Sequence, residues 1–323
     1  MIVLGLEGTA HTLGVGVIDS ENRVLADVRK TYSPASGGIH PRDASQFMSE
    51  NIGDALKEAL AAAGVSIKDV GLISFSQGPG MGPCLRTVAT AARALSLHNN
   101  LPVLGVNHCV AHIEVGRIFC SLKDPLVLYV SGGNTQVLKL KDGHFRIFGE
   151  TLDIGVGNML DKFGREAGIG HPAGPKIEDL AKEGNKYIEL PYAVKGTDLS
   201  FSGLLTSALG KVAENRLEDV CFSLQETAFA MLAEVTERAL AHLKAKEVLL
   251  TGGVGNNSRL AEMLRLMSEE QGASFGVPKG FCSDNGVMIA ILGSLMHEAG
   301  IRQEIADTGV RQRFRTDAVE VKW

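Results

Sequence analysis

Two histidines one helical turn apart, in the stretch His108-Cys109-Val110-Ala111-His112, carry the sharpest chemical signal in this sequence. On an α-helix an i, i+4 pair stacks both imidazoles on one face, which suits two ligands of a single metal ion. The competing reading is an ordinary pair, one histidine satisfied in a core and the other exposed. A zinc peptidase would need H-E-x-x-H, with the glutamate as general base. Cys109 stands at that place, so the peptidase reading lacks its base. Further ligands must come from distant parts of the chain. Asp284, between Ser283 and Asn285 at the start of the last predicted helix, is a candidate carboxylate, and Tyr129, at the end of a predicted strand, is another.

A second signal is glycine, 38 of 323 residues. That is about 12%, against roughly 7% in average usage. Three glycine turns close predicted strands: Glu7-Gly8-Thr9, Ser131-Gly132-Gly133-Asn134-Thr135 and Thr251-Gly252-Gly253-Val254. Small residues let backbone N–H groups approach a phosphate, and neighbouring hydroxyls add donors. Any one of them reads as a plain turn; three at matching positions suggest a nucleotide held between two lobes. Gly78-Pro79-Gly80-Met81-Gly82-Pro83 is either a fourth anion site at a helix N-terminus or a rigid turn.

These residues need elements to position them. Ile2–Leu6, Leu13–Ile18 and Val24–Val28 read as a strand meander, and Leu126–Val130, Gln136–Leu140 and Phe145–Phe148 repeat the plan. The repetition suggests an internal duplication, each copy opening one lobe. Helices are predicted over Asp43–Ala63, Leu85–His98, Asn107 to about Phe119, Asn158–Ala167, from Pro175, Glu218–Lys246, Asn257–Glu270 and Gly286–Ala299. Val70–Ser76, Pro102–Val106 and Val248–Leu250 read as further strands. The apolar stripe of the Glu218–Lys246 helix, with Leu224, Ala228, Met231, Leu232, Val235, Ala239 and Leu243, reads as core. The class is α/β.

Composition narrows the function. Thirty-two basic against thirty-seven acidic residues leave a net charge of −5, so a general polyanion binder is excluded and any positive surface must be local or lent by a partner. Hydrophobic residues at 45% exclude a disordered chain. No stretch of about 20 mostly apolar residues suggests a membrane span, and no basic region precedes an apolar stretch at Met1-Ile2-Val3-Leu4-Gly5, so no signal peptide is expected. Five cysteines without a C-x-x-C pair fit a reducing compartment, hence a cytoplasmic location.

Read end to end, the chain resembles the tRNA threonylcarbamoyladenosine transferase family, in its archaeal and eukaryotic KEOPS-subunit branch, with TsaD as the bacterial counterpart. The resemblance rests on GLEGTAHTLGVGVI, GGIHPRDA, GPGMGPCLRTVATAARAL, GVNHCVAHIEVGR, LYVSGGNTQ, TLDIGVGNMLDKFGRE, HPAGPKIE, DLSFSGLLTSA, SLQETAFAMLAEVTERALAH, CSDNGVMIA and RQRFRTDAVEV, in that order. It implies the actin/sugar-kinase (ASKHA) fold: two ribonuclease-H-like lobes around a nucleotide cleft. Lobe I would cover residues 1–124, with 296–323 packing back on it, and lobe II residues 125–295. The reaction implied is transfer of threonylcarbamoyl from threonylcarbamoyl-AMP to N6 of adenosine 37 in tRNAs reading ANN codons, releasing AMP.

On the family pattern His108, His112, Tyr129 and Asp284 would hold one metal ion, iron or alternatively zinc. Tyr129, Val130, Ser131, Gly132, Gly133, Asp161, Gly174, Glu178 and Asn257 would hold the adenylate and threonylcarbamoyl portions. No catalytic residue is assigned beyond the metal site. Gly255-Asn256-Asn257 departs from the family's small-small-Asn, so Asn256 competes with Asn257, and Gly155 replaces an alanine. The implied partners are tRNA, a small kinase-like ATPase, a dimerising subunit and a tRNA-binding accessory subunit, with no membrane. Two rivals are weaker. Sugar and acetate kinases place aspartates in both phosphate turns, where this chain has Glu7 and Ser131, and a non-catalytic scaffold would not need the intact ligand set. Arg86 and Arg93 on one helix, and alternating Arg311, Arg313 and Arg315 on one face of an extended strand, are candidates for RNA contact.

Overall fold

The computed structural model describes residues 1–34 and 38–323, so Gly37 of the GGIHPRDA stretch lies outside the described residues. The chain forms two units, Met1–Val115 with Asp284–Trp323, and Gly116–Ser283. In the first, β1 (Ile2–Glu7), β2 (Thr12–Ile18) and β3 (Val24–Thr31) form the antiparallel meander. α1 (Pro41–Ala63) leads to β4 (Val70–Gly78), and α2 (Gly82–Asn99) leads to β5 (Val103–Asn107). Both later strands run parallel to β1, giving the order β3-β2-β1-β4-β5. α3 (His108–Phe119) then carries the chain across the division.

The second unit repeats the plan. β6 (Leu126–Val130), β7 (Thr135–Lys141) and β8 (His144–Glu150) are the meander. α4 (Val156–Glu166), α5 (Ala173–Glu183), the two-residue strands β9 (Val194–Lys195) and β10 (Asp198–Leu199), α6 (Ser202–Lys211) and α7 (Leu217–Leu243) follow. β11 (Glu247–Thr251), α8 (Ser258–Glu270) and β12 (Ser274–Gly276) complete the sheet, and its order β12-β11-β6-β7-β8 is that of the first sheet. A meander followed by two parallel strands, built twice, is the ribonuclease-H-like arrangement that the resemblance implies. The α7 stripe lies in the core of this unit, as its spacing predicts.

The unit boundaries fall beside the expected lobe boundaries. The expected lobes divide at 124/125 and 295/296, whereas the compact units divide at 115/116 and 283/284, which moves the last helix, α9 (Gly286–Glu298), into the first unit. The reason is steric. Along β1 and β2 the side chains alternate: Leu4, Leu6, Leu13 and Val15 join the core formed with α1 and α2, while the intervening glycines face α9. A Cβ at Gly16 would lie 2.2 Å from the backbone nitrogen of Val287. The helix backbone thus rests on the sheet where a side chain would stand. Its residues from Gly286 to Ser294 are all buried, which leaves α9 without a polar face over that span. Among the described residues no helix is long and apolar enough to cross a membrane.

Candidate metal centre

Asn107 ends β5 and its side-chain oxygen accepts from the backbone N–H of Val110 at 3.0 Å, which fixes the first turn of α3. His108 and His112 therefore emerge one turn apart on one face, 7% and 0% exposed, with ring centroids 4.7 Å apart and planes at 88°. Asp284 stands one residue before Asn285, which caps α9 by accepting from Met288 N–H at 2.8 Å. Asp284 Oδ1 lies 3.1 Å from His112 Nε2 and 3.6 Å from His108 Nε2. One ligand atom from each of the three residues falls within 4.8 Å of the others, so the group could hold a metal ion.

Behind His108 stands Glu7, at the end of β1 and fully buried. Its Oε2 is 3.0 Å from His108 Nδ1, while Oε1 accepts from Thr9 N–H at 2.8 Å and from Thr9 Oγ1 at 2.6 Å. The carboxylate thus engages Nδ1 and leaves Nε2 turned to the cluster, an outer-sphere arrangement typical of metal-ligating histidines. In the sequence Glu7 reads only as a residue that is not a kinase aspartate. The available signal was a lone acid ending a strand of apolar residues.

The electrostatics agree. Burial alone would lower His108, but the Glu7 and Asp284 carboxylates on either side outweigh it and push its pKa up to about 9. Burial lowers His112, and the adjacent His108 adds to the effect. Burial opposes ionisation of Asp284, yet the two histidines hold its carboxyl well below the usual range. Positive charge is called for between these carboxylates, whether carried by protons or by a metal ion. Two imidazoles and one carboxylate are a donor set suited to non-haem iron or zinc.

In the second unit the 131–134 turn is tight: Ser131 N–H donates to Asn134 O at 2.8 Å, and Asn134 N–H to Ser131 Oγ at 3.1 Å. α4 begins against it, with Gly157 and Asn158 N–H donating to Ser131 and Gly132 carbonyls at 3.2 and 2.9 Å. Gly155 lies so close that a Cβ there would meet Gly132 O at 2.5 Å, so its replacement of alanine suits this packing. Gly132 and Gly133 are exposed, and a Cβ at Gly133 would meet nothing within 4 Å among the described residues. The same holds for Gly174 in the first turn of α5.

The family model for tRNA N6-adenosine threonylcarbamoyltransferase, TsaD, matches residues 23–291. The chain belongs to this family. A tRNA N6-adenosine threonylcarbamoyltransferase of Thermococcus kodakarensis is 58% identical over 326 residues, covering 100% of both chains. A probable bifunctional tRNA threonylcarbamoyladenosine biosynthesis protein of Methanobrevibacter smithii is 56% identical, matched over 100% of this chain and 60% of its own length. Among solved structures, the activator of 2-hydroxyisocaproyl-CoA dehydratase from Clostridium difficile, with bound ADPNP, aligns at TM-score 0.55 and 10% identity, covering 94% of this chain and 99% of that one. That likeness concerns the fold, which is of the ASKHA type. The chain is accordingly a transferase that modifies tRNA, and the kinase, peptidase and scaffold readings give way.

Of the residues that the sequence singles out in this transferase, the structure brings His108, His112 and Asp284 together. Tyr129 lies buried in the second unit, next to last in β6 and paired with Gln136 and Thr251 on the neighbouring strands. Val130 pairs with Thr135. Three expected adenylate residues anchor helix starts. Asp161 Oδ1 accepts from Ala173 N–H at 2.9 Å, where α5 begins, and lies 3.5 Å from His171 Nδ1. Glu178 Oε1 accepts from Ser258 N–H at 3.0 Å and from the Ser258 hydroxyl, where α8 begins. Asn257 caps α8 through Arg259 and Leu260 N–H, at 2.9 and 3.2 Å, and donates to Gln225 Oε1 at 2.9 Å. Asn256 is exposed and donates to Ser283 Oγ at 2.8 Å.

The arginine expectations divide. Arg93 is taken up by Thr308, through its hydroxyl at 2.9 Å and its carbonyl. Arg315 pairs with Asp317 through two contacts of 2.8 Å. Residues 311–314 do not form an extended strand. Phe314 N–H donates to Arg311 O at 3.1 Å, closing a turn. The chain bends there because Gln77 and Asn107 hold its two ends, Arg311 N–H donating to Gln77 O at 2.8 Å and Asn107 Nδ2 to Phe314 O at 3.0 Å.

Proposed function

We propose that this transferase takes threonylcarbamoyl from threonylcarbamoyl-AMP to N6 of adenosine 37 in tRNAs reading ANN codons, as the metal-dependent catalytic subunit of a KEOPS-like assembly. The observation that carries the reading is the buried His108–His112–Asp284 cluster with Glu7 behind it. His108, His112 and Asp284 would hold the ion, with Tyr129 as a fourth ligand. The ion, iron or alternatively zinc, supplies Lewis acidity toward the carbamoyl oxygen.

The second unit supplies adenylate binding in this reading. Tyr129 to Gly133, Gly174, Asp161, Glu178 and Asn257 surround the donor, and the N–H groups of Gly132 and Gly133 face its phosphate. Support comes from the open space beside Gly133 and Gly174, which packing of the protein itself does not require. The dehydratase activator of like fold holds ADPNP. In the reaction N6 attacks the carbamoyl carbon and the bond from that carbon to the phosphate oxygen breaks. AMP leaves with the electron pair, and the N6 proton passes to water or phosphate. Since the N–H of a neutral aromatic amine is a very weak acid, the proton leaves after the nitrogen–carbon bond has begun to form.

A small kinase-like ATPase, a dimerising subunit and a tRNA-binding accessory subunit complete the proposed assembly. The bifunctional relative supports a physical link to a second activity of the same biosynthesis. A cytoplasmic location is proposed from five cysteines that include no C-x-x-C pair; burial pushes the Cys221 and Cys282 thiols up to about 12, which makes them inert packing residues.

The test is metal analysis followed by transfer assays with threonylcarbamoyl-AMP, tRNA and the partner subunits. His112→Ala is expected to lose metal retention and transfer together while keeping its secondary structure. Full transfer by a verified metal-free chain would reject the role of the ion.

A further inference from the structure

The C-terminal strap Thr308–Arg315 bears three arginines and no acid, on a chain whose net charge is −5. Its course is fixed to the edge of the candidate metal centre. Gln77 holds it from one side, donating from Nε2 to Gly309 O at 2.8 Å. Asn107, the residue immediately before His108, holds the carbonyl of Phe314. Gly80 N–H donates to Gln312 O at 3.3 Å, and the next residue, Met81, donates to Thr9 O at 2.7 Å beside Glu7. The glycine-rich 78–83 segment therefore serves as the bed of this strap, the rigid-turn alternative of the sequence reading. A Cβ at Gly78 would lie 1.9 Å from Arg311 O, and one at Gly82 would lie 1.9 Å from Gln312 Nε2 and 3.2 Å from Arg86 Nη1. Arg86 thus borders the strap.

Three of the guanidinium groups here stand apart from any carboxylate partner among the described residues. Arg86, Arg311 and Arg313 are exposed and have no ion-pair partner among the described residues, in contrast to Arg315 with Asp317. Arg313 stands at the corner of the 311–314 turn. Arg311 lies over the Phe314 ring at 3.6 Å, an interaction that orients the guanidinium without neutralising it. Exposed, unneutralised arginines along the strap and beside it, on an acidic protein, fit a polyanion, and guanidinium groups fit phosphate oxygens.

We propose that Arg86, Arg311 and Arg313 form a docking surface for the phosphate backbone of the tRNA substrate, placing the nucleotide that bears the acceptor N6 at the His108–His112–Asp284 cluster. The contacts position the RNA and carry no base specificity. They give a chain of net charge −5 a local positive surface to offer a polyanion.

The experiment measures retention of an unmodified tRNA by the chain at several salt concentrations, and steady-state transfer by the full assembly with tRNA varied. Arg86→Ala and Arg313→Ala are each expected to weaken binding and raise KM for tRNA several-fold, with kcat at saturating tRNA, metal content and melting temperature unchanged. Each should flatten the plot of log affinity against log salt by about one unit, and the double variant by about two. Arg313→Lys should restore most of the binding, because the charge is kept. Arg265→Ala, at a residue paired with Glu269 in α8, is the control and should change nothing. An unchanged KM and an unchanged salt slope in the double variant would overturn the proposal. So would a loss confined to assembly with partner subunits, which would mark the strap as a protein interface. Arginine-dependent tRNA binding without transfer from threonylcarbamoyl-AMP would instead reject the donor assignment and leave this surface standing.

Discussion

Glu7 ends a strand of apolar residues and is itself inaccessible to solvent, so its charge must be met by the groups around it. Thr9 meets one oxygen and His108 the other. Glu7→Gln keeps the shape and can still accept from Thr9, but its amide would then present a donor to His108 Nδ1. The imidazole would have to carry its proton on Nε2, the atom turned to the cluster. Metal affinity is expected to fall by about 10–100-fold, the usual cost of losing such a buttress. Competition with a chelator on the purified chain measures it, and an unchanged affinity would show that Glu7 does not set the tautomer. At this scale the sequence was legible where spacing alone brings residues together, as for His108 and His112. Asp284 came only from the family resemblance and a helix-start position, since no local pattern ties it to residues more than 170 positions earlier. Glu7 escaped because its partner belongs to another element.

Some helix starts in the second unit depend on side chains borrowed from elsewhere, and these are harder to read than starts with a local cap such as Asn257. Gly64 ends α1 in the left-handed conformation, and Asn107 caps α3, both visible as sequence signals. α6 carries no such signal and was not predicted. Its first N–H groups, on Phe201 and Ser202, donate at 2.9 Å each to Asp153, 48 and 49 residues upstream. Burial acts to raise the Asp153 pKa, but the Ser202 hydroxyl and the N–H groups of Phe201, Ser202 and Ile154 prevail, bringing it down to about 2. A carboxyl depressed on folding stabilises the fold above its unfolded pKa, near 3.8, and the contribution fades as pH falls through about 2. Asp153→Ala is expected to cost about 1 kcal/mol at neutral pH, the typical value of a lost cap. The difference from wild type should shrink below about pH 4 and vanish below about pH 2, as urea unfolding at a series of pH values would show. A constant difference across that range would mean that the side chain acts by packing rather than as a carboxylate. β9, β10 and β12 are illegible for another reason: strands of two or three residues are too short to show a periodicity, whether they pair with each other across Gly196 and Thr197, as β9 and β10 do, or with a strand far upstream, as β12 does with β11.

At the scale of the whole chain the duplication was legible, because two meanders with the same turns recur, and each sheet then adds two parallel strands in the same order. What the repeat could not reveal is where α9 belongs. Sequence order places it after the second copy, whereas packing joins it to the first, and the cause lies in residues that look unremarkable in a strand. Gly5, Gly14 and Gly16 leave a bed into which the backbone of Gly286 and Val287 settles. This bed positions more than a helix, since Asp284 and its neighbour Asn285 lie at the α9 start. Gly16→Ala would place a methyl group 2.2 Å from Val287 N and 2.3 Å from the Gly286 carbonyl carbon, and neither backbone atom can swing aside as a side-chain tip could. α9 must lift or slide, at a cost of about 1–3 kcal/mol or more for overpacking. Asp284 should move with it, so metal retention is expected to fall further than a purely global loss of stability would explain. Gly53→Ala is the matched comparison. It lies in the exposed middle of α1, where a Cβ would meet nothing within 4 Å among the described residues, and it should stabilise by about 0.5–1 kcal/mol through helix propensity alone. Chelator competition under conditions where both variants remain fully folded separates the two effects. If Gly16→Ala keeps wild-type metal affinity there, α9 docking does not set the position of Asp284, and the link drawn between the packing of this unit and its candidate metal centre fails.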